Sequence, residues 1–209
     1  MTRDEQLRAF EALLKKYDAR IAHAFLEGIR AVQDSISLSS IADHLRAGNY
    51  SAAVALLNDT LVAAGFVSFS RVLQDALMAG GDYAAQIARA SKIEFGFQIT
   101  ESNVARFVSQ YQADKIQQIT LDMRQTITQI INREVTAGTN PLETARRFKS
   151  GLGLTASQEA AVANYRRKLE NLGRDALDNR LRDKRFDPLV ERLIREGKPR
   201  PKEKVDQMV

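Results

Sequence analysis

Apolar residues recur at three- and four-residue spacing along most of the chain, the period of an amphipathic α-helix. Leu7, Phe10, Leu13, Leu14, Tyr17, Ile21, Phe25, Ile29, Val32 and Ile36 form the first stripe. Thr2 and Glu5 make a Thr-x-x-Glu capping box at its start. Ser35, Ser37, Ser39 and Ser40 interrupt the stripe, and a short helix through Ile41, Ala42 and Leu45 follows, ending at Gly48-Asn49. Ser51 to Phe69 is the most apolar stretch; Asn58, Asp59 and Gly65 break it, so it reads as a buried helix pair. Within it, Ser51 is the expected cap for Ala52 to Ala64 and Gly65 the terminator. Ser68 or Ser70 begins the next helix, which Gly80-Gly81 is expected to break before Tyr83 to Ala90 resumes.

Lys92 to Ile99 departs from this period. Ile93, Phe95, Phe97 and Ile99 alternate with Glu94, Gly96 and Gln98, a strand signal. A lone strand has no partner, so an extended connector laid across helices is expected. The longest element follows, from a cap at Asn103 to about Thr136, with Gly138 as its stop. At 1.5 Å per residue it is roughly 50 Å long. Its apolar stripe, from Val104 and Phe107 to Ile131 and Val135, serves either as the spine of a bundle or as an oligomer interface. The last third is shorter and well punctuated. Asn140-Pro141 opens a helix whose Leu142, Ala145 and Phe148 face inward and which Gly151 closes. Thr155 with Gln158 makes a second capping box, and Ala160, Val162, Tyr165 and Leu169 are the expected buried side of that helix. The fold class is therefore all-α: an elongated multi-helix assembly with one long central helix (about 103–136) and short C-terminal helices. Val205 to Val209 reads as the first turn of a further helix, so the chain is expected to be part of a longer gene product.

Composition removes most chemistry. The 209 residues include no Cys and only two His, His23 and His44. Disulfides, Cys-ligated zinc, iron–sulfur clusters and thiol nucleophiles are excluded. His23 with Glu27 offers a two-ligand pair at most, and a solvated histidine is the stronger reading. No phosphate loop, HExxH or GxSxG is present, and Gly151-Leu152-Gly153 reads as a helix–helix turn. The chain is expected to be a non-enzyme without cofactors or metal. The polar N-terminus lacks the apolar core of a signal peptide, and no window approaches a membrane span.

Charge separates the two ends. Residues 1–140 carry 14 Lys/Arg and 15 Asp/Glu, whereas 141–209 carry 17 and 11. The overall +5 thus becomes a near-neutral two-thirds joined to a basic third. Arg146, Arg147, Lys149, Arg166, Arg167, Lys168, Arg182, Lys184 and Arg185 are the candidate contacts to nucleic acid or another acidic partner. Glu143, Glu170, Asp175, Asp183, Asp187 and other acids are interspersed, and ordinary ion pairing is the competing reading.

Ile131 to Arg147, then Gly151-Leu152-Gly153-Leu154-Thr155-Ala156-Ser157-Gln158 and Ala161-Val162-Ala163-Asn164-Tyr165-Arg166-Arg167-Lys168-Leu169, resemble the minor head, or head morphogenesis, proteins of tailed bacteriophages (the Mu-like F family). In that family a long helix ends at Gly, a short helix and a Gly-Leu-Thr turn follow, and the next helix reads Gln-x-x-Ala-Val-x-Asn-Tyr-Arg. Asp183 to Asp187, Arg195 to Pro199 and Val205 to Val209 are similar to its continuation. The resemblance covers about residues 97–209 and is most specific at 151–169. It divides the chain into an N-terminal helical region, 1–96, and a minor-head-protein-like region, 97–209, and corresponds to the N-terminal part of the family. It implies a virion structural protein at the portal vertex, assembled in the host cytoplasm and acting in head morphogenesis, DNA packaging or DNA delivery. The implied partners are the phage portal protein, with the capsid shell, genomic double-stranded DNA and self-association through long helices as further contacts. An internal virion ejection protein and a helical non-specific nucleic-acid-binding protein are the alternatives.

Overall fold

A computed structural model describes residues 2–90, 102–171, 174–180 and 182–197, together with Val205 and Met208. The described residues are helical, without strands: α1 (Arg3–Ser35), α2 (Leu38–Arg46), α3 (Tyr50–Ala55), α4 (Asp59–Gly65), α5 (Val67–Ala90), α6 (Ser102–Thr136), α7 (Pro141–Gly151), α8 (Ala156–Glu170) and α9 (Asp187–Glu196). The all-α expectation holds. Compact packing separates Met1–Gly153 from Leu154–Val209, so both the charge boundary at 141 and the resemblance boundary at 97 fall inside the first unit. The connector expected over Lys92 to Ile99 lies outside the described residues.

Local chemistry explains most helix ends. The Thr2 hydroxyl accepts from the Glu5 N–H and the Glu5 carboxylate from the Thr2 N–H, at 3.3 and 2.8 Å. Thr155 and Gln158 repeat this box at 3.3 and 2.9 Å. Asn140 accepts from the Leu142 N–H, with Pro141 in the first turn. The 35-residue α6 begins one residue before the expected Asn103 cap and ends at Thr136.

Other boundaries differ from expectation. α5 already starts at Val67, so Ser68 and Ser70 lie inside it rather than at its start. The stretch read as one helix over Ala52 to Ala64 is two, with Asn49 rather than Ser51 capping α3 and Asn58 capping α4. Between them Leu57 is buried, and its carbonyl accepts a 2.6 Å hydrogen bond from Arg124 Nε of α6. A partner from another helix thus compensates the broken ladder. Conversely, α5 runs unbroken through Gly80-Gly81. Glycine costs a helix roughly 1 kcal/mol relative to alanine, and packing of α5 along α1 offsets it: Tyr83 stacks on Phe10 at 5.7 Å and its hydroxyl donates to the Gln6 carbonyl, while Arg20 pairs with Asp75.

The core of the first unit joins the C-terminal half of α1 (Ala24, Ile29, Val32), α2 (Ile41, Ala42, Leu45), α4 (Val62), Phe66, α6 (Met123, Ile127, Ile130, Ile131) and α7 (Ala145, Phe148). Phe25, Phe66 and Phe69 meet edge to face, with centroids 5.5–6.0 Å apart. The α1 stripe is therefore buried at one end only; Leu7, Phe10 and Leu14 remain exposed. The Leu154–Val209 unit has its own core of Tyr165, Leu169, Ala176, Val190, Val205 and Met208. On α8 Ala160 is exposed rather than buried. The buried side of that helix is carried by Tyr165 and Leu169.

Candidate nucleic-acid interface

Among the described residues Glu134 is the most enclosed charged group of the first unit, 2% exposed near the end of α6. Arg147 of α7 donates to it, as do the Thr139 hydroxyl at 2.9 Å and Arg133 Nε at 3.0 Å. Arg147 also donates to Glu143 one turn earlier, at 3.3 Å, and its side chain is only 17% exposed. Burial alone would raise the Glu134 pKa, but hydrogen bonds from Arg147 and Thr139, the Arg147 charge and the Arg133 bond outweigh it and hold the carboxyl below its ordinary 4.5. Burial likewise opposes the Arg147 charge, and the two carboxylates overcome it, raising its pKa. Arg147 is thus withdrawn from the candidate contact surface: it is the tie between α6 and α7.

A pH dependence follows from this geometry. A carboxyl with a depressed folded-state pKa contributes stability above its unfolded value and loses it as pH falls through the folded value. Melting temperature is expected to drop more steeply below about pH 4.5 in the parent than in Glu134→Gln, with parallel curves above pH 6. Differential scanning fluorimetry across pH 3–7 checks it; equal acid slopes contradict the assignment.

The turn after α7 is set by packing. A Cβ on Gly151 would come within 2.2 Å of Ile130 Cδ1, and one on Gly153 within 2.7 Å of Ile29 Cδ1. Gly153 also sits at φ +85°, in the left-handed region that favours glycine. Leu152 between them is buried in the core. Gly151-Leu152-Gly153 is therefore the close crossing of α7 over α6 and α1, which agrees with its reading as a turn.

The other candidates fall into two groups. Arg146 is exposed and reaches Glu143 at 3.4 Å, while Lys149 is half-buried, its backbone carbonyl accepting from Gln33 Nε2. In the second unit Arg182 makes two 2.9 Å hydrogen bonds to Asp187, which raise its pKa, and is withdrawn like Arg147. Lys168 pairs with Asp175 at 3.1 Å. Arg166 is half-buried, while Arg167 and Lys184 are exposed. Arg185 is paired with Asp183, whose carboxyl it holds below the ordinary range, yet its side chain stays 86% exposed. Among the described residues of the Leu154–Val209 unit the exposed cations are thus Arg167, Arg174, Arg180, Lys184 and Arg185, with Arg192 and Arg195 on α9. That unit carries 14 Lys/Arg against 10 Asp/Glu.

His23 and Glu27 are exposed and 3.6 Å apart, and among the described residues no three metal-ligating side chains converge. No single helix among them is long and apolar enough to cross a membrane. The arrangement supports charge-based contact with an acidic surface. No protein-family model, curated protein or solved structure matches the chain.

Proposed function

We propose that the chain is a structural protein of a tailed-bacteriophage virion, a minor head protein that acts at the portal vertex in head morphogenesis, DNA packaging or DNA delivery. The carrying observation is the run from Ile131 to Leu169. It is built, in chain order, as the end of a long helix, a left-handed stop at Gly138, the short α7, a glycine-bounded turn and the capped α8. That is the order the resembling family uses. The role is structural rather than catalytic, and the portal protein is the expected partner. Pull-down of the phage portal protein by this chain tests it: retention is expected, and no retention together with absence from purified particles overturns it.

A contact to packaged DNA is the second element, supported by the exposed cations of the Leu154–Val209 unit. Affinity for duplex DNA falls with salt, and every neutralised phosphate adds about 0.9 to the steepness of log affinity against log salt. Replacing Arg167, Lys184 and Arg185 with Gln is expected to make that dependence shallower by about 2–3. An unchanged slope in a filter-binding titration would assign those charges to solvation or protein contacts. An internal ejection protein is the alternative favoured by the exposed Leu7, Phe10 and Leu14 of α1. It requires the chain to leave the particle with the genome.

A further inference from the structure

We propose that the groove between α1 and α5 docks an amphipathic helix of another protein, with lysines or arginines along the border of its apolar face. Leu7, Phe10, Leu14, Tyr17 and Ile21 follow one another at three- and four-residue steps, the spacing of a helix–helix seam. Further along α1 the same period is consumed by the core, where Ala24 is buried. Toward the N-terminus Leu7, Phe10 and Leu14 are exposed. Phe10, Leu14, Tyr17 and Ile21 line a groove of about 570 Å³ whose α5 side is formed by Ala76 and Gly80. An apolar row already spaced for a helix partner, open along a groove, fits a helix better than a compact ligand.

Gly80 points the same way. It lies in the middle of α5, outside the positive-φ glycines, and a Cβ built on it meets nothing within 4 Å. Neither backbone conformation nor internal packing requires glycine there, although glycine weakens the helix. Close approach of a second helix to the α5 backbone gives it a use.

Charge selects the occupant. Asp4, Glu11 and Asp18 are exposed and repeat every seven residues. At 3.6 residues per turn this row lies about 50° around α1 from Leu7 and Leu14. Arg8 and Lys15 lie about 100° away, although Lys15 also reaches the groove. The nearest border is therefore acidic. In an antiparallel pairing of α1 with a second copy of this chain, that carboxylate row would meet itself, which disfavours a two-fold dimer. A helix with cationic borders satisfies both the apolar row and the carboxylates.

The test uses the full chain and two 21-residue fluorescent peptides, with leucine at the seam positions and either lysine or glutamate at the flanking ones. Fluorescence anisotropy is expected to give the lysine peptide at least tenfold tighter binding. Gly80→Leu, placed where nothing is touched, is expected to keep the circular dichroism spectrum and weaken that binding at least tenfold. Asp4→Lys, Glu11→Lys and Asp18→Lys together are expected to reverse the preference. Equal binding of the two peptides, no binding of either, indifference to Gly80→Leu, or a stable dimer of the chain at micromolar concentration overturns the proposal.

Discussion

Arg147→Ala is expected to destabilise the Met1–Gly153 unit by about 3 kcal/mol, the lower end for breaking a buried ion pair. The cost comes less from the missing attraction than from what is left behind. Glu134 is 2% exposed, and among the described residues Thr139 and Arg133 are the partners left to it without Arg147. Its neighbour Arg146, with a side chain 60% exposed, is the internal control: Arg146→Ala is expected to cost under about 0.5 kcal/mol. Replacing both buried partners, Glu134→Leu with Arg147→Met, should recover most of the stability, because two apolar groups leave no uncompensated charge. Urea denaturation of the four proteins reads these differences directly. Similar values for Arg146→Ala and Arg147→Ala would return Arg147 to the surface.

The second large effect is expected at Phe66. Its ring is fully buried and contacts Phe25 and Phe69 edge to face. It also covers Gly28, where a Cβ would lie 2.9 Å from the ring. Phe66→Ala is expected to cost about 3–5 kcal/mol, from removal of a buried aromatic plus the cavity it leaves. Phe66→Leu keeps much of the volume and should cost clearly less. A small effect of Phe66→Ala in the same titration would mean that α1, α4 and α5 are joined elsewhere.

Elements set by neighbours in sequence are legible from it. Both capping boxes, the Asn140-Pro141 start and the end of α6 at Thr136 depend on residues within four positions, and they fall where expected. Elements set by distant partners are not. Nothing local to Gly80-Gly81 announces that α1 will hold the helix together, and nothing local to Leu57 announces that Arg124 will satisfy its carbonyl. The candidate site shows the same division. Charge counting finds the basic third, yet does not separate exposed cations from Arg147, whose buried acid Glu134 lies on the preceding helix, or from Arg182, whose acid Asp187 is five residues on, outside the three- and four-residue helical spacing. One local signal is present: Glu134 continues the Ile127, Ile130 and Ile131 face at helical spacing, so a carboxylate on a buried stripe asks for a partner. The apolar Val135, which the sequence places in that stripe, lies exposed instead.

The virion reading makes one demand that composition and helix geometry do not: a fixed place in the particle. A reconstruction of purified virions carrying a tagged copy of this chain meets that demand most directly. Tag density at the portal vertex is the predicted result, and particles that lack the chain or carry it only away from that vertex would contradict the account.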